Sequence, residues 1–311
     1  MTIGWRGRCV VFSALIVAAA GSGCATERPP GPAPGHGGPL PAGPPRPAPG
    51  QPQAVGPAGA LSAYVERTKR ARAARDATAR RWGLKKTPLP APPPPEEKPR
   101  ITTRKGFEIT GGHGGLPPVF TTVPTKEKIV FLTIDDGVEK DPEFVKMMRQ
   151  LKIPYSAFLS DYVVRDDYEY FEKMQDRGVA LHNHTLNHRY LRGLSYEEQK
   201  EEICGQQDRI EKRFGERPSL FRPPYGAYDK DTLKAAQSCG VKAVPLWAAE
   251  AFPDRMEWRE VDKDLHPGDI ILTHFRGKKE WKGSMEDMIR NVMKVVTDKG
   301  YAVARLEDYV P

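Results

Sequence analysis

Two adjacent carboxylates, a pair of histidines four apart, an arginine ahead of two prolines and a late histidine are the residues of this 311-residue chain best suited to chemistry. They occupy four short blocks: 133–137 (T-I-D-D-G), 184–188 (H-T-L-N-H), 222–226 (R-P-P-Y-G) and 272–274 (L-T-H). Neutral imidazoles are common nitrogen ligands for Zn²⁺, and two His with one carboxylate leave positions open for water and substrate. Together the blocks supply a metal site flanked by a base and an acid. Alone, an Asp-Asp or a His-x-x-x-His pair arises readily by chance in a chain of this length.

Asp135 and Asp136 close an apolar run, where two charges are costly unless something stabilises them. Successive strand residues point to opposite sides, so one carboxylate can bind a metal while the other faces the reacting water. The plain alternative is a strand end followed by an Asp-Gly turn. His184 and His188 are the candidate imidazole ligands. His182 reads either as a group supporting them or as a polar residue at a strand end, and His113, in a Gly-rich segment, reads as exposed. Arg222 would hold a carboxylate such as Asp135 ionised. Pro223 and Pro224 stiffen the backbone that follows, which suits a backbone N–H aimed at developing negative charge. A structural arginine at a strand end is the alternative. His274 is placed to protonate a leaving amine, and Leu272, two residues earlier on the same face, would wall a methyl group. Read singly, His274 is more readily a structural histidine.

The elements that must position these groups alternate in type. Residues 128–135 are nearly continuous apolar, as a strand buried on both faces should be. A helix over 142–151 follows, with Asp141 as N-cap. Then come a strand at 155–159, a helix near 168–176, a strand at 179–181 and a long helix from Ser195 to Phe214 with Glu198 completing a capping box. Segments 219–222, 229–239, 241–247, 269–274, 285–299 and 301–304 continue the alternation. That order predicts an α/β fold with a parallel sheet. All four blocks sit at C-terminal strand ends, where α/β barrels keep their active sites.

Charge is distributed unevenly. Up to Pro124 there are 17 Lys and Arg against 6 Asp and Glu; beyond it, 31 against 34. The C-terminal part therefore has no basic footprint for nucleic acid. Residues 1–23 read as an export signal, with Arg6 and Arg8 before an apolar run too short for a span of roughly 20 residues. Gly21-Ser22-Gly23-Cys24 resembles a lipobox with Gly where Leu is usual, so Cys24 is the candidate lipidation site and ordinary cleavage with secretion the alternative. Residues 24–105 read as a Pro/Gly/Ala-rich spacer, disordered where the prolines are densest, with a basic helix near 61–82 that either lies on anionic lipid or wall polymer or is a solvated spacer. The folded domain is expected over 106–311. In an oxidising compartment Cys204 and Cys239 can pair; two buried thiols are the alternative.

The four blocks, in this order, resemble the polysaccharide deacetylases of the NodB-homology type (carbohydrate esterase family 4), from about residue 124 to 311. The resemblance implies a distorted (β/α)7 barrel. It makes Asp135 the catalytic base, Asp136, His184 and His188 the metal ligands, and Arg222 the residue that tunes the base. Tyr225 would present its backbone N–H to the oxyanion, His274 would be the general acid, and Leu272 would flank the acetyl methyl. A further D-x-x-x-W motif fits Asp254 and Trp258, which would orient His274 and wall the acetyl pocket. Trp247 lies seven residues before Asp254 where the family usually has three, which leaves Glu250, three after Trp247, as the competing partner of His274. His182 stands where the family more often has Gly.

The implied reading is an exported hydrolase that removes N-acetyl groups from amino sugars of a cell-wall polysaccharide, peptidoglycan or chitin-like, using a divalent metal (Zn, with Co or Ni as substitutes). It would be held at the outer face of the cell membrane by its lipid, with the basic helix as a second contact, or be secreted. O-acetyl esterase activity on the same scaffold and non-catalytic wall binding are the competing readings.

Overall fold

The computed structural model describes residues 57–112 and 114–311. The expected export signal, Cys24, the proline-rich start of the spacer and His113 lie outside the described residues.

The chain opens with α1 (Pro57–Arg81), then runs β1 (Val119–Phe120), β2 (Ile129–Asp136), α2 (Pro142–Leu151), β3 (Ser156–Leu159), α3 (Asp161–Val164), α4 (Tyr168–Gln175), β4 (Ala180–Asn183), α5 (Tyr196–Phe214), α6 (Lys230–Ser238), β5 (Val244–Pro245), β6 (Ala249–Ala251), β7 (Met256–Trp258), β8 (Ile270–His274), α7 (Met285–Asp298) and β9 (Ala302–Ala304). The main sheet has the order β4-β3-β2-β8-β6-β7, and β9 pairs with the first half of β2. Every pairing in it is parallel except β6–β7. Single bridges Asn183↔Phe221 and Leu220↔Ala243 carry the sheet from β4 to the segment that runs on into β6. Since β6 pairs with β8, the circuit closes as a distorted barrel, the expected architecture.

β2 is buried along its whole length because its two faces serve two cores. Val130, Leu132 and Ile134 pack outward against α2 and α7, with Phe144, Met147, Ile289 and Val292. Ile129 and Phe131 point into the barrel, against Phe158, Ile270, Leu306 and Tyr309. This is why the strand reads as an unbroken apolar run. Asp141 caps α2 by accepting from the Glu143 N–H, and Ser195 with Glu198 forms the expected capping box on α5. Cys204 and Cys239 are joined by a disulfide that ties α5 to the end of α6.

Two expectations need correction. The boundary expected at 105/106 does not mark a change in packing. Ala79 and Leu84 are core residues, Leu89 bridges to Ala302, and Lys98 donates to the Val310 carbonyl at 2.7 Å. Residues 79–105 are thus strapped to the domain, because isolated apolar and polar side chains between the prolines find partners that composition does not reveal. α1 forms where a basic helix was expected, and its residues 60–75 are exposed on every side. The β6–β7 hairpin, absent from the alternation read in the sequence, is the second difference, and it bears on the site.

Candidate functional site

Alternation along β2 sends Thr133 and Asp135 into the barrel and would send Asp136 outward to the helices. Asp136 escapes that face by adopting a left-handed φ of 76°, which swings its carboxylate across the barrel mouth. Gly137 completes the turn at φ 103°; a Cβ there would come within 2.4 Å of Val164 Cγ1. Of six non-glycine residues with positive φ among those described, four are Asp136, Thr185, His188 and Tyr225. Backbone strain of this kind persists where the surroundings enforce it, and here it gathers at one place.

Asp136, His184 and His188 each bring one ligand atom to within 4.8 Å of the others. Asp136 Oδ1 lies 3.5 Å from His184 Nε2 and 3.3 Å from His188 Nε2. That oxygen is buried and takes part in no hydrogen bond, a costly state unless a cation completes it. His184 Nδ1 sits 2.7 Å from the Arg222 carbonyl oxygen, so Nδ1–H donates there and the Nε2 lone pair faces Asp136, the arrangement expected of a metal-ligating imidazole. His188 is half-buried beside His184, and both effects push its pKa down to about 4, which favours a neutral ring at neutral pH. Burial resists charge on His184 too, but Asp135 and Asp136 outweigh it and raise its pKa. Burial likewise opposes ionisation of Asp136, and the close approach of His184, with His274 and His188, overcomes it and lowers the pKa well below the usual carboxylate range. An anionic oxygen and two imidazole nitrogens fit a divalent cation.

The loop carrying His188 is pinned from behind. Buried Glu202 accepts from the Asn187 backbone N–H and from its side-chain amide, both at 2.8 Å, and Thr185 Oγ1 accepts from the His188 N–H.

Asp135 stands on the other side of the cluster. Arg222, wholly buried, donates from Nη1 to Asp135 Oδ1 at 2.7 Å and to Thr133 Oγ1 at 3.0 Å, and from Nε to the Pro245 carbonyl at 2.8 Å. Its guanidinium also lies over the Phe158 ring at 4.3 Å. Burial lowers the Arg222 pKa and Asp135 opposes the fall. Opposite, β8 is in register with β2 so that Asp135 pairs with His274 and Thr133 with Leu272, which puts the acid candidate and the leucine on the same inner face. Burial pushes the His274 pKa down, against the pull of Asp136 and Asp135. Tyr225, in the turn after the two prolines, packs its ring 4.9 Å from that of His188.

The expected partner of His274 is corrected. Asp254 is at the tip of the β6–β7 hairpin, exposed and paired with Arg255, while Glu250 Oε1 is 3.5 Å from His274 Nδ1. The reason is register: β6 runs parallel to β8 with Glu250 opposite Leu272, so Glu250 reaches into the barrel mouth and the next four residues lead away from it. Burial, then Glu257 and Asp135, push the Glu250 pKa up to about 7. Trp258 is corrected with it, since it pairs with Ala249 on the outer edge of the sheet. The aromatic ring beside His274 is Trp281, with ring centres 6.4 Å apart. Trp281 lies in a loop of mixed polar residues that carries no periodic signal. Arg276 was also missed; it donates to Asp136 Oδ2 at 3.1 Å. Its place two residues beyond His274, just past an apolar strand, was the available clue. His182, not at the cleft at all, is held inside the barrel by Glu307 at 2.9 Å.

Comparison with known proteins agrees with this geometry. Residues 122–244 match the family model described as polysaccharide deacetylase. An uncharacterized protein of Streptomyces coelicolor is 40% identical over 196 residues, 63% of this chain and 78% of that protein. The peptidoglycan-N-acetylglucosamine deacetylase of Bacillus cereus is 31% identical over 185 residues, 56% of this chain and 82% of that enzyme. Among solved structures, a mutant of a CE4 family pseudoenzyme with restored enzymatic activity superposes with a TM-score of 0.54 at 21% identity, over 63% of this chain and 72% of that one.

Proposed function

This chain belongs to the polysaccharide deacetylase family, hydrolases of carbon–nitrogen bonds other than peptide bonds, and from that premise we propose that it is a metal-dependent N-deacetylase acting on acetamido sugars of peptidoglycan. The observation that carries the reading is the convergence of Asp136, His184 and His188 around an unpartnered buried carboxylate oxygen, with Asp135 and His274 on adjoining strands beside them.

A divalent ion held by these three residues, Zn²⁺ by the donor set, would supply Lewis-acid polarisation of the acetyl carbonyl and lower the pKa of a water. Asp135 accepts the proton of the attacking water, its carboxylate held in position by the Arg222 guanidinium. Water oxygen bonds to the acetyl carbon, and the backbone N–H of Tyr225 faces the oxygen that gains charge. His274 delivers a proton to the departing nitrogen as the carbon–nitrogen bond breaks, releasing acetate and a free amine. Glu250 holds the imidazole by Nδ1, so that Nε2 carries the proton for donation. Leu272 and Trp281 give the site apolar walls for the methyl group.

Export and lipidation at Cys24 remain part of the proposal on sequence grounds, and they favour the wall polymer over a soluble glycan as substrate. The substrate names of the relatives support peptidoglycan in the same way. The non-catalytic alternative is disfavoured by the intact set of ligands, base and acid.

The deciding experiment incubates the purified, Zn²⁺-loaded protein with muropeptides and with chitooligosaccharides, then follows acetate release and glycan mass. Loss of one acetyl group per modified sugar is expected. Absence of acetate from both substrates, with metal bound, would overturn the reading.

A further inference from the structure

Four aromatic side chains are more than a third exposed among the described residues: Tyr64, Tyr162, Tyr190 and Tyr225. Tyr64 is on the solvent-exposed stretch of α1. The other three, at 39%, 51% and 67% exposure, gather around His188. Tyr162 has its ring centre 6.4 Å from that of His188, Tyr225 is 4.9 Å from His188 on another side, and Tyr190 continues the row 6.3 Å beyond Tyr225. Large rings left in water in a contiguous row mark a surface that another molecule covers.

Their mounts are rigid although their faces are open. Tyr190 is followed by Leu191, wholly buried in the cluster of Ile203, Phe221 and Leu233. The Tyr162 N–H donates to the Leu186 carbonyl at 2.9 Å, which fastens it to the loop that carries His188. Tyr225 follows Pro223 and Pro224, and the Gly226 N–H donates to the Pro223 carbonyl at 2.9 Å. A fixed ring with an exposed face suits a flat apolar patch on the ligand, and the axial C–H face of a pyranose is one. Since the row begins on a residue of the metal cluster, its occupant must be continuous with the molecule whose acetyl group reacts there.

We propose that Tyr190 and Tyr225 form a stacking subsite for the sugar next to the one being deacetylated, so that the enzyme selects a glycan chain over a single repeat. This deepens the deacetylase reading and rests on it. Tyr190 touches neither the metal cluster nor the acid–base pair, so it acts as a specificity residue through binding.

The test compares the alternating tetrasaccharide of N-acetylglucosamine and N-acetylmuramic acid with the corresponding disaccharide, as kcat/KM for acetate release and as calorimetric affinity. Wild type should prefer the tetrasaccharide. Tyr190→Ala should cut that preference about five- to tenfold, mostly through KM, as expected for the loss of one aromatic contact. Tyr190→Phe should restore it, and Tyr64→Ala should leave it as in wild type. Equal kcat/KM for the two lengths in wild type, or an unaltered preference in Tyr190→Ala, would overturn the proposal. So would equal loss of kcat on both substrates in Tyr190→Ala. If wild type released no acetate, the deacetylase reading would fall, while affinity for the tetrasaccharide that depends on Tyr190 would still uphold the rim and affinity that does not would sink it.

Discussion

Replacing Glu250 by Gln isolates the electrostatics of the proposed acid. Glu250 Oε1 is 3.5 Å from His274 Nδ1, and each side chain is about one-fifth exposed. A carboxylate and an imidazolium at that distance attract by about 5 kcal/mol at an effective dielectric of about 20. Water at the barrel mouth and the closeness of the Glu250 pKa to 7 reduce this, so we take about 1.4–2.7 kcal/mol as the part lost. At about 1.4 kcal/mol per tenfold change in equilibrium, this moves the loss of the His274 proton by about one to two pH units. The sign is fixed by chemistry. A carboxylate favours the charged ring, and without it burial pulls the His274 pKa further down. The alkaline limb of kcat, which reports loss of the proton needed by the amine, should therefore move to lower pH in Glu250→Gln. The acid limb, which reports groups other than this pair, should move little. Asp254→Asn should shift neither limb, because Asp254 is paired with Arg255 in solvent. The assay is the pH dependence of acetate release at saturating glycan. An unmoved alkaline limb in Glu250→Gln, or a shift in Asp254→Asn alone, would refute the assignment.

Asp136→Ala, His184→Ala and His188→Ala should each lose tightly bound Zn²⁺ and activity together, read by metal analysis after dialysis; a variant with full metal content would remove that residue from the ligand set. Zn²⁺ uptake should release protons near neutral pH, since the raised pKa of His184 means a proton must leave before the ring can bind; calorimetry in buffers of different ionisation enthalpy measures it, and affinity should fall as pH drops through that pKa. Arg222→Met should destabilise by about 3–5 kcal/mol in denaturant titration, as it strands Asp135 without its buried partner. Reducing the Cys204–Cys239 bridge, which closes a separation of 35 residues, should lower stability by about 3–4 kcal/mol on the loop-entropy account.

What the sequence disclosed about the site follows from where each residue lies along a strand. Asp135, Asp136 and His274 interrupt or end apolar runs, and such runs are legible because both faces of β2 and most of β8 are buried. His184, His188 and Arg222 were legible from spacing and from the prolines. The partner of His274 was not, because it depends on the register of β6 against β8 and on a hairpin of three-residue strands, too short to show a period. Trp281 and Arg276 reach the site from a loop, where side-chain direction is set by tertiary contacts alone. The strap over residues 79–105 was hidden for a related reason: proline-rich composition speaks to chain stiffness, and it is silent about the few side chains that dock.

That strap also fixes how the molecule would hang from a tether. Leu89 joins the sheet beside Ala302, which lies opposite Ile129 at the start of β2, whereas Asp136 is at its end. The strand between them is about 23 Å long at the usual rise per residue. Tension applied from the N-terminal side would meet Ala79, Trp82 and Leu84 first, where they pack on α2 and α7, and would reach the floor of the barrel only after those contacts let go. The Leu89–Ala302 contact and the Lys98–Val310 clasp lie behind them along the chain and would be shielded until then. A leash ending on that outer layer would leave the strand ends that carry Asp135, Asp136 and His274 outside the first line of load.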